Sequence, residues 1–138
     1  MIVTQRFSLS TRGGGQVILI NDEVARYVAA SKVKAGIVTL FVTGTTAGVC
    51  IMEHEPGLVE DMNAAMERLI PQGIVYQHNV RNNDDNGHSH TRAVLMGPSV
   101  VIPVADGKPM LGTWQRVVLV DFDSRPRKRD LVVQVMGE

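Results

Sequence analysis

The chain has 138 residues, is 44% hydrophobic, and balances 14 Lys and Arg against 14 Asp and Glu. Its length and apolar content suit one domain over residues 1–138, and its charge balance argues against a nucleic-acid or anionic-membrane partner. No apolar run nears the ~20 residues that cross a bilayer. The N-terminal stretch "MIVTQRFSLSTRGGG" lacks the apolar core of a signal peptide. The one cysteine, Cys50, excludes an intrachain disulfide; in "AGVCIM" it reads as a small buried hydrophobe. The expectation is a cytoplasmic protein.

In chain order, Ile18 and Ile20 of "QVILI" mark a strand. A helix carrying Val24, Tyr27 and Val28 follows, capped by Asn21 or Asp22 and ended before Gly36. "GIVTLFVT" (36–43) is rich in β-branched residues and reads as a buried strand. "GVCIME" (48–53) reads as its hairpin partner across a turn at Gly44-Thr45-Thr46. Pro56 and Gly57 open a helix with Leu58, Met62, Ala65, Met66 and Leu69 on one face, stopped by Pro71 and Gly73. Residues 77–92 read as a long polar loop, and such loops often carry function. A short helical piece (91–96), the strand "SVVIPV", an Asp106-Gly107 turn and the strand "MLGTWQRVVLVDF" come next. A charged turn and "DLVVQV" complete a final hairpin. These elements predict an α+β domain: a bent, largely antiparallel sheet, half-barrel or sandwich-like, with two main helices on one side.

The histidines concentrate in the polar stretch. "NNDDNGHSHTR" (82–92) carries His88 and His90, with His78 at the other end. In an extended segment or turn, i and i+2 project to the same side, whereas in a helix they diverge by about 200°. If the segment is a turn, His78, His88 and His90 can form a three-histidine metal site with an open position, zinc being the first candidate. The alternative is ordinary loop histidines. His54, between two glutamates, reads as a strand-end residue. The "TGTTAG" turn (43–48) can cradle a phosphate through backbone N–H groups or be a plain β-turn; it is no Walker loop. Trp114 and Gln115 alternate in the predicted strand, placing Trp114 in the core or at a subunit boundary and Gln115 toward a pocket. The cluster Arg125, Arg127, Lys128 and Arg129, beside Asp121, Asp123 and Asp130, reads as a solvated hairpin tip ahead of a polyanion site.

"GPSVVIPVADGKPMLGTWQRVVLVDFD" (97–123) resembles the signature region of the YjbQ family, also called secondary thiamine-phosphate synthase. The likeness extends to Phe41–Ala47, Tyr76-Gln77-His78, the Asp84, Asn86, His88, His90 block and the closing "VVQVMGE". Many members carry a histidine where Gly44 stands, and Glu53-His54-Glu55-Pro56 departs from the usual E-N-x-D-P. The resemblance implies a strongly bent sheet, a homotrimer, and an enzyme joining a pyrimidine diphosphate to a thiazole phosphate as a secondary activity. On that reading His88, His90 and Gln115 are catalytic. Gly44, Thr45, Thr46, Asn86 and Thr113 bind a phosphorylated small molecule. A divalent metal sits on His78, His88 and His90. The alternatives are a metal-dependent hydrolase and a non-catalytic metabolite- or metal-binding trimer.

Overall fold

The computed structural model describes residues 1–138. Its elements run β1 (Ile2–Thr11), β2 (Gln16–Leu19), α1 (Asn21–Ser31), β3 (Gly36–Thr43), β4 (Ala47–Met52), α2 (Pro56–Leu69), α3 (Gln77–Asn82), α4 (Gly87–Met96), β5 (Ser99–Ala105), β6 (Lys108–Pro109), β7 (Arg116–Asp121) and β8 (Arg127–Gly137). All strand pairs are antiparallel. They form a five-stranded group, β1-β8-β3-β5-β6, and a three-stranded group, β2-β7-β4. The result is a curled α+β half-barrel, as the sequence predicts, with four helices where two main ones were expected. No helix is long and apolar enough to cross a membrane.

The main core lies between the two groups. Val38, Leu40 and Val42 of β3 and Leu131, Val133 and Val135 of β8 meet Val49, Val117 and Leu119, and Val24 and Val28 of α1 join them. A second core forms on the opposite face of β7. There Val118, Val120 and the following Phe122 pack against Met66, Ile70 and Ala93. β7 is therefore buried on both faces, which is why "VVLV" is a continuous apolar run. β1 alternates exposed and half-buried positions because one face of the five-stranded group meets solvent.

Several sequence expectations are corrected by this layering. β3 and β4 form no hairpin: β4 pairs with β7, while β3 lies between β8 and β5. β7 and β8 also belong to different groups. In both cases a chain segment crosses between layers, and local hydrophobic pattern does not distinguish a crossing from a hairpin. The strand expected from Met110 starts only at Arg116, because residues 112–115 turn on themselves: Gln115 N donates to Gly112 O and Gly112 N to Gln115 Oε1. Asn21 does not cap α1; its side chain accepts from Val117 N instead. On α2 Met66 is buried but Leu69 is 71% exposed, and the inward position passes to Ile70. The polar "loop" 77–92 is largely helical, as α3 and most of α4.

Two close approaches fix α4. Gly87 stands where a Cβ would come within 2.6 Å of Tyr76 Cβ, and its N–H donates to Asn79 Oδ1 of α3 at 2.8 Å. Gly48 of β4 stands where a Cβ would meet Met96 Cγ at 2.8 Å and Gly97 O at 2.9 Å. α4 is thereby held between α3 and β4, with its N-terminus at the end of the three-stranded group, the inner sheet, where β4 begins and β7 ends.

Candidate functional site

At that end, three segments surround a cleft of about 410 Å³. Its lining is Gly44, Thr45 and Thr46 from the β3–β4 turn, Asp84 and Asn86 from the α3–α4 link with His90 of α4's first turn, and Asp123 after β7 with Arg127, Lys128 and Arg129 at the start of β8. None of the ten is apolar.

Its floor is an ion network. Arg129, 6% exposed, donates from Nε to Asp121 Oδ2 at 2.7 Å and from Nη2 to Asp121 Oδ1 at 3.0 Å. Thr11 Oγ1 and the Asp123 N–H also donate to Asp121, at 2.6 and 2.9 Å. Thr46 Oγ1 accepts from Arg129 Nη2 at 2.5 Å and donates to Asp123 Oδ2 at 2.8 Å. Asp123 further accepts from Arg127 Nε at 2.8 Å, Ser124 N at 2.7 Å and Asn86 Nδ2 at 3.4 Å. Burial pushes both carboxyls up, but the donors outweigh it. Asp121 is held below the usual range, chiefly by Arg129, Thr11 and the Asp123 N–H. Asp123 is lowered to about 2 by Thr46, Arg127, Ser124 and Asn86. Both stay ionised at neutral pH.

The network leaves part of the site unspent. Arg129 uses only Nε and Nη2 on its partners, and its Nη1 faces Gly44, where a Cβ would approach to 2.9 Å. The missing side chain at position 44 leaves that guanidinium edge uncovered. Asn86 is 4% exposed, and its Oδ1 has no partner in the chain. With Arg127 and Lys128 exposed at the rim, the lining sets three cations and the N-terminus of α4 against the carboxylates of Asp84 and Asp123; Arg127 and Arg129 are paired with Asp123 and Asp121, and Lys128 is left to meet a small anion.

The histidines separate into two groups. α4 sends its i and i+2 side chains apart. His90 lines the cleft, its ring 4.4 Å from that of His78 on α3, with the planes at 43°. Burial, then His78, lowers the His90 pKa, against the Thr45 backbone, Asp123 and Asp84. His88 is buried, its Nδ1 unpartnered and its Nε2 3.4 Å from Ser89 Oγ. Burial and then Arg92 lower its pKa, against Glu67, Asp85 and Asp123. No group of three His, Cys, Asp or Glu side chains stands close enough to hold a metal ion. The expected set of His78, His88 and His90 is thus not assembled within one chain, because its central segment is a helix and not a turn.

Thr113, Trp114 and Gln115 sit elsewhere. β4 and β7 pair from Ala47 opposite Asp121 to Met52 opposite Arg116. The cleft lies at the first end and residues 112–115 just beyond the second, five residue steps away, about 17 Å. There Trp114 is 70% exposed, not in the core, and shares a shallow hollow with Glu53, His54, Glu55 and Arg116. Thr45, Thr46, Asn86 and His90 do converge, and the chain alone does not bring Gln115 or Thr113 to them.

Asp123, Arg127, Lys128 and Arg129 complete the cleft; Arg125, Arg127 and Lys128 are exposed, as a solvated tip requires, while Asp121, Asp123 and Arg129 are buried and correct that reading for themselves. Their signal was in the sequence: Asp-x-Asp and Arg-x-Arg repeat at i, i+2, and in extended chain such residues share a side.

Fold and cleft define a small α+β half-barrel domain with a charged, wholly polar site at one end of its three-stranded sheet. The profile of the "UPF0047 protein YjbQ-like" family matches residues 5–138, and the chain belongs to that family. A UPF0047 protein of Archaeoglobus fulgidus is 40% identical over 94% of this chain and 98% of its own. One of Methanocaldococcus jannaschii is 33% identical over 96% and 94%. Among solved structures, a YbjQ-like protein of unknown function from Sulfolobus solfataricus P2 superposes with a TM-score of 0.90 at 31% identity, covering both chains completely. A hypothetical protein from Aeropyrum pernix K1 gives 0.90 at 33% identity, with 99% of each chain covered.

Proposed function

We propose that this protein is a small-molecule enzyme that binds a phosphate-bearing substrate in the cleft and carries thiamine-phosphate synthase activity as a side reaction. The observation that supports it is the lining itself: Arg127, Lys128 and Arg129, three cations to the two carboxylates of Asp84 and Asp123, among ten residues with no apolar member. In that reaction the thiazole nitrogen forms a bond to the methylene carbon of the pyrimidine, and the carbon–oxygen bond to diphosphate breaks, its electron pair leaving on oxygen. Arg127, Lys128, the free edge of Arg129 and the N–H groups of Gly44 and Thr45 stabilise the charge gathering on the leaving group. His90, neutral at physiological pH, is placed to exchange a proton with bound substrate. The residues present do not make a three-histidine metal site, so no step is assigned to a metal.

The same reading includes a homotrimer. Gln115 and Thr113, at the other end of the β4–β7 ladder, join the site only if a neighbouring copy presents them to the cleft, and cyclic contacts between unlike surfaces do this. The trimer would also cover the exposed Trp114.

The test is incubation of the purified protein with hydroxymethylpyrimidine diphosphate and thiazole phosphate, with thiamine phosphate as readout. Thermal shift with inorganic pyrophosphate runs alongside. Product formation and stabilisation, both lost in Lys128→Ala, are expected. Neither product nor stabilisation in the wild type would remove the reading. A monomer mass by light scattering at micromolar concentration would remove the trimer.

A further inference from the structure

Adjoining the charged cleft is a second hollow of about 170 Å³, lined by Gly44, Thr45, Ala47, Ala93, Val94 and Pro98. Gly44 and Thr45 belong to both. The two spaces also share one face of α4. His90, Ala93 and Val94 stand at i, i+3 and i+4, so the helix presents His90 to the charged cleft and Val94 to the hollow, four residues, about 6 Å, further on.

The chemistry of the two spaces is opposite. The cleft has no apolar lining residue; the hollow has Ala47, Ala93, Val94 and Pro98 and, apart from the Thr45 hydroxyl, no side chain able to hydrogen-bond. Its wall is well fixed. Val42 N donates to Pro98 O at 2.9 Å and Val49 N to Gly97 O at 3.1 Å, and α4 rests against Gly48. Val94 is 82% exposed, the most exposed large hydrophobic residue of the chain.

We infer that the hollow is an apolar subsite of the cleft and that Val94 sets its specificity. This rests on the cleft reading above. The ligand class is a phosphate ester whose phosphate sits among Arg127, Lys128 and Arg129, and whose compact apolar group, joined within a few bonds, lies on Val94. The hollow rewards apolar surface and has little with which to pair ring heteroatoms, so it favours a hydrocarbon group over a polar heterocycle of the same size. A pyrimidine diphosphate then fits the charged half better than the apolar half, in line with the side reaction proposed above.

The experiment compares inorganic phosphate, benzyl phosphate and pyridylmethyl phosphate by calorimetry on the wild type and Val94→Ser. Benzyl phosphate should bind about tenfold more tightly than phosphate, a gain of ~1.4 kcal/mol. Pyridylmethyl phosphate should fall between them. Val94→Ser should abolish the benzyl advantage and leave phosphate binding unchanged. Equal binding of all three, a pyridylmethyl ester as tight as the benzyl ester, or an advantage that survives Val94→Ser would overturn the inference and spare the cleft reading. Absence of any phosphate binding would overturn both. Sedimentation of Val94→Ser gives a further check: loss of the wild-type mass would assign Val94 to a contact between copies instead.

Discussion

Replacing Asp121 by Asn tests the ion network under the cleft. Asp121 is fully buried and each of its oxygens accepts twice: Oδ1 from Arg129 Nη2 and Asp123 N, Oδ2 from Arg129 Nε and Thr11 Oγ1. An asparagine keeps one such oxygen and puts an NH₂ group, itself a donor, against the other two donors. It also leaves Arg129 with one carboxylate neighbour, Asp123, at 3.8 Å. Buried charged hydrogen bonds contribute ~1.5–3 kcal/mol each, and breaking a buried ion pair from one side costs ~3–5 kcal/mol. The expected loss is therefore about 4 kcal/mol by urea unfolding with an unchanged m-value. The paired variant Asp121→Leu with Arg129→Met should recover at least half of it, because no charge is left without a partner. A loss below ~1 kcal/mol in the single variant, or a paired variant as unstable as the single one, would show that the network is not holding this end of the sheet.

Three further outcomes follow from the same geometry. Gly44→Ala places a Cβ 2.9 Å from Arg129 Nη1; it should weaken pyrophosphate binding at least fivefold in calorimetry (~1 kcal/mol) with little change in unfolding, and unchanged affinity would mean that this guanidinium edge meets no ligand. Gly48→Ala presses on Met96 and the Gly97 carbonyl and should cost ~1–3 kcal/mol in thermal unfolding by pushing α4 off β4; a neutral result would contradict that close packing. Stability should vary with pH in two windows. Asp121 and Asp123 have folded pKa values below the unfolded value, so their contribution is present above about pH 4 and is lost as pH falls toward the Asp123 value of about 2, at ~2 kcal/mol for Asp123. His88 and His90 are also lowered, so the unfolded chain binds protons first and stability falls as pH drops below about 6.5. His88→Gln should flatten part of that upper window in pH-dependent urea titrations, and an unaltered profile would show that His88 takes no part in it.

The sequence made the strands legible wherever burial imposes a period. β3 is the expected 36–43 segment, and Val24 and Val28 mark the inner face of α1 as expected. Pairing was not legible. The apolar runs of β3 and β4 carry no mark of belonging to different layers, and a two-faced strand such as β7 gives no alternation to read. α3 and the start of α4 were missed because their residues are poor helix formers: Asn, His, Gly and Ser. They are helical through tertiary support, from Tyr76, Asn79 and the face of the inner sheet. For the candidate site, the Gly-Thr-Thr turn, Asn86 and His90 were legible as polar residues at chain reversals. Asp121, Asp123 and Arg129 were read as solvent-facing because a charge run is usually exposed, and only the fold shows Asp121 and Arg129 neutralising each other in the interior. Gln115 was placed by strand alternation that its tight turn abolishes.

The measurement that tests the central claim most directly is an amide chemical-shift titration of the labelled protein with inorganic pyrophosphate. The cleft reading predicts saturable shifts, largest at Gly44, Thr45, Thr46, Asn86, His90 and residues 127–129. In Lys128→Ala the saturation should move to higher concentration. Absence of saturable shifts, or largest shifts at the distant groove between Ala25 and Lys108, would contradict it.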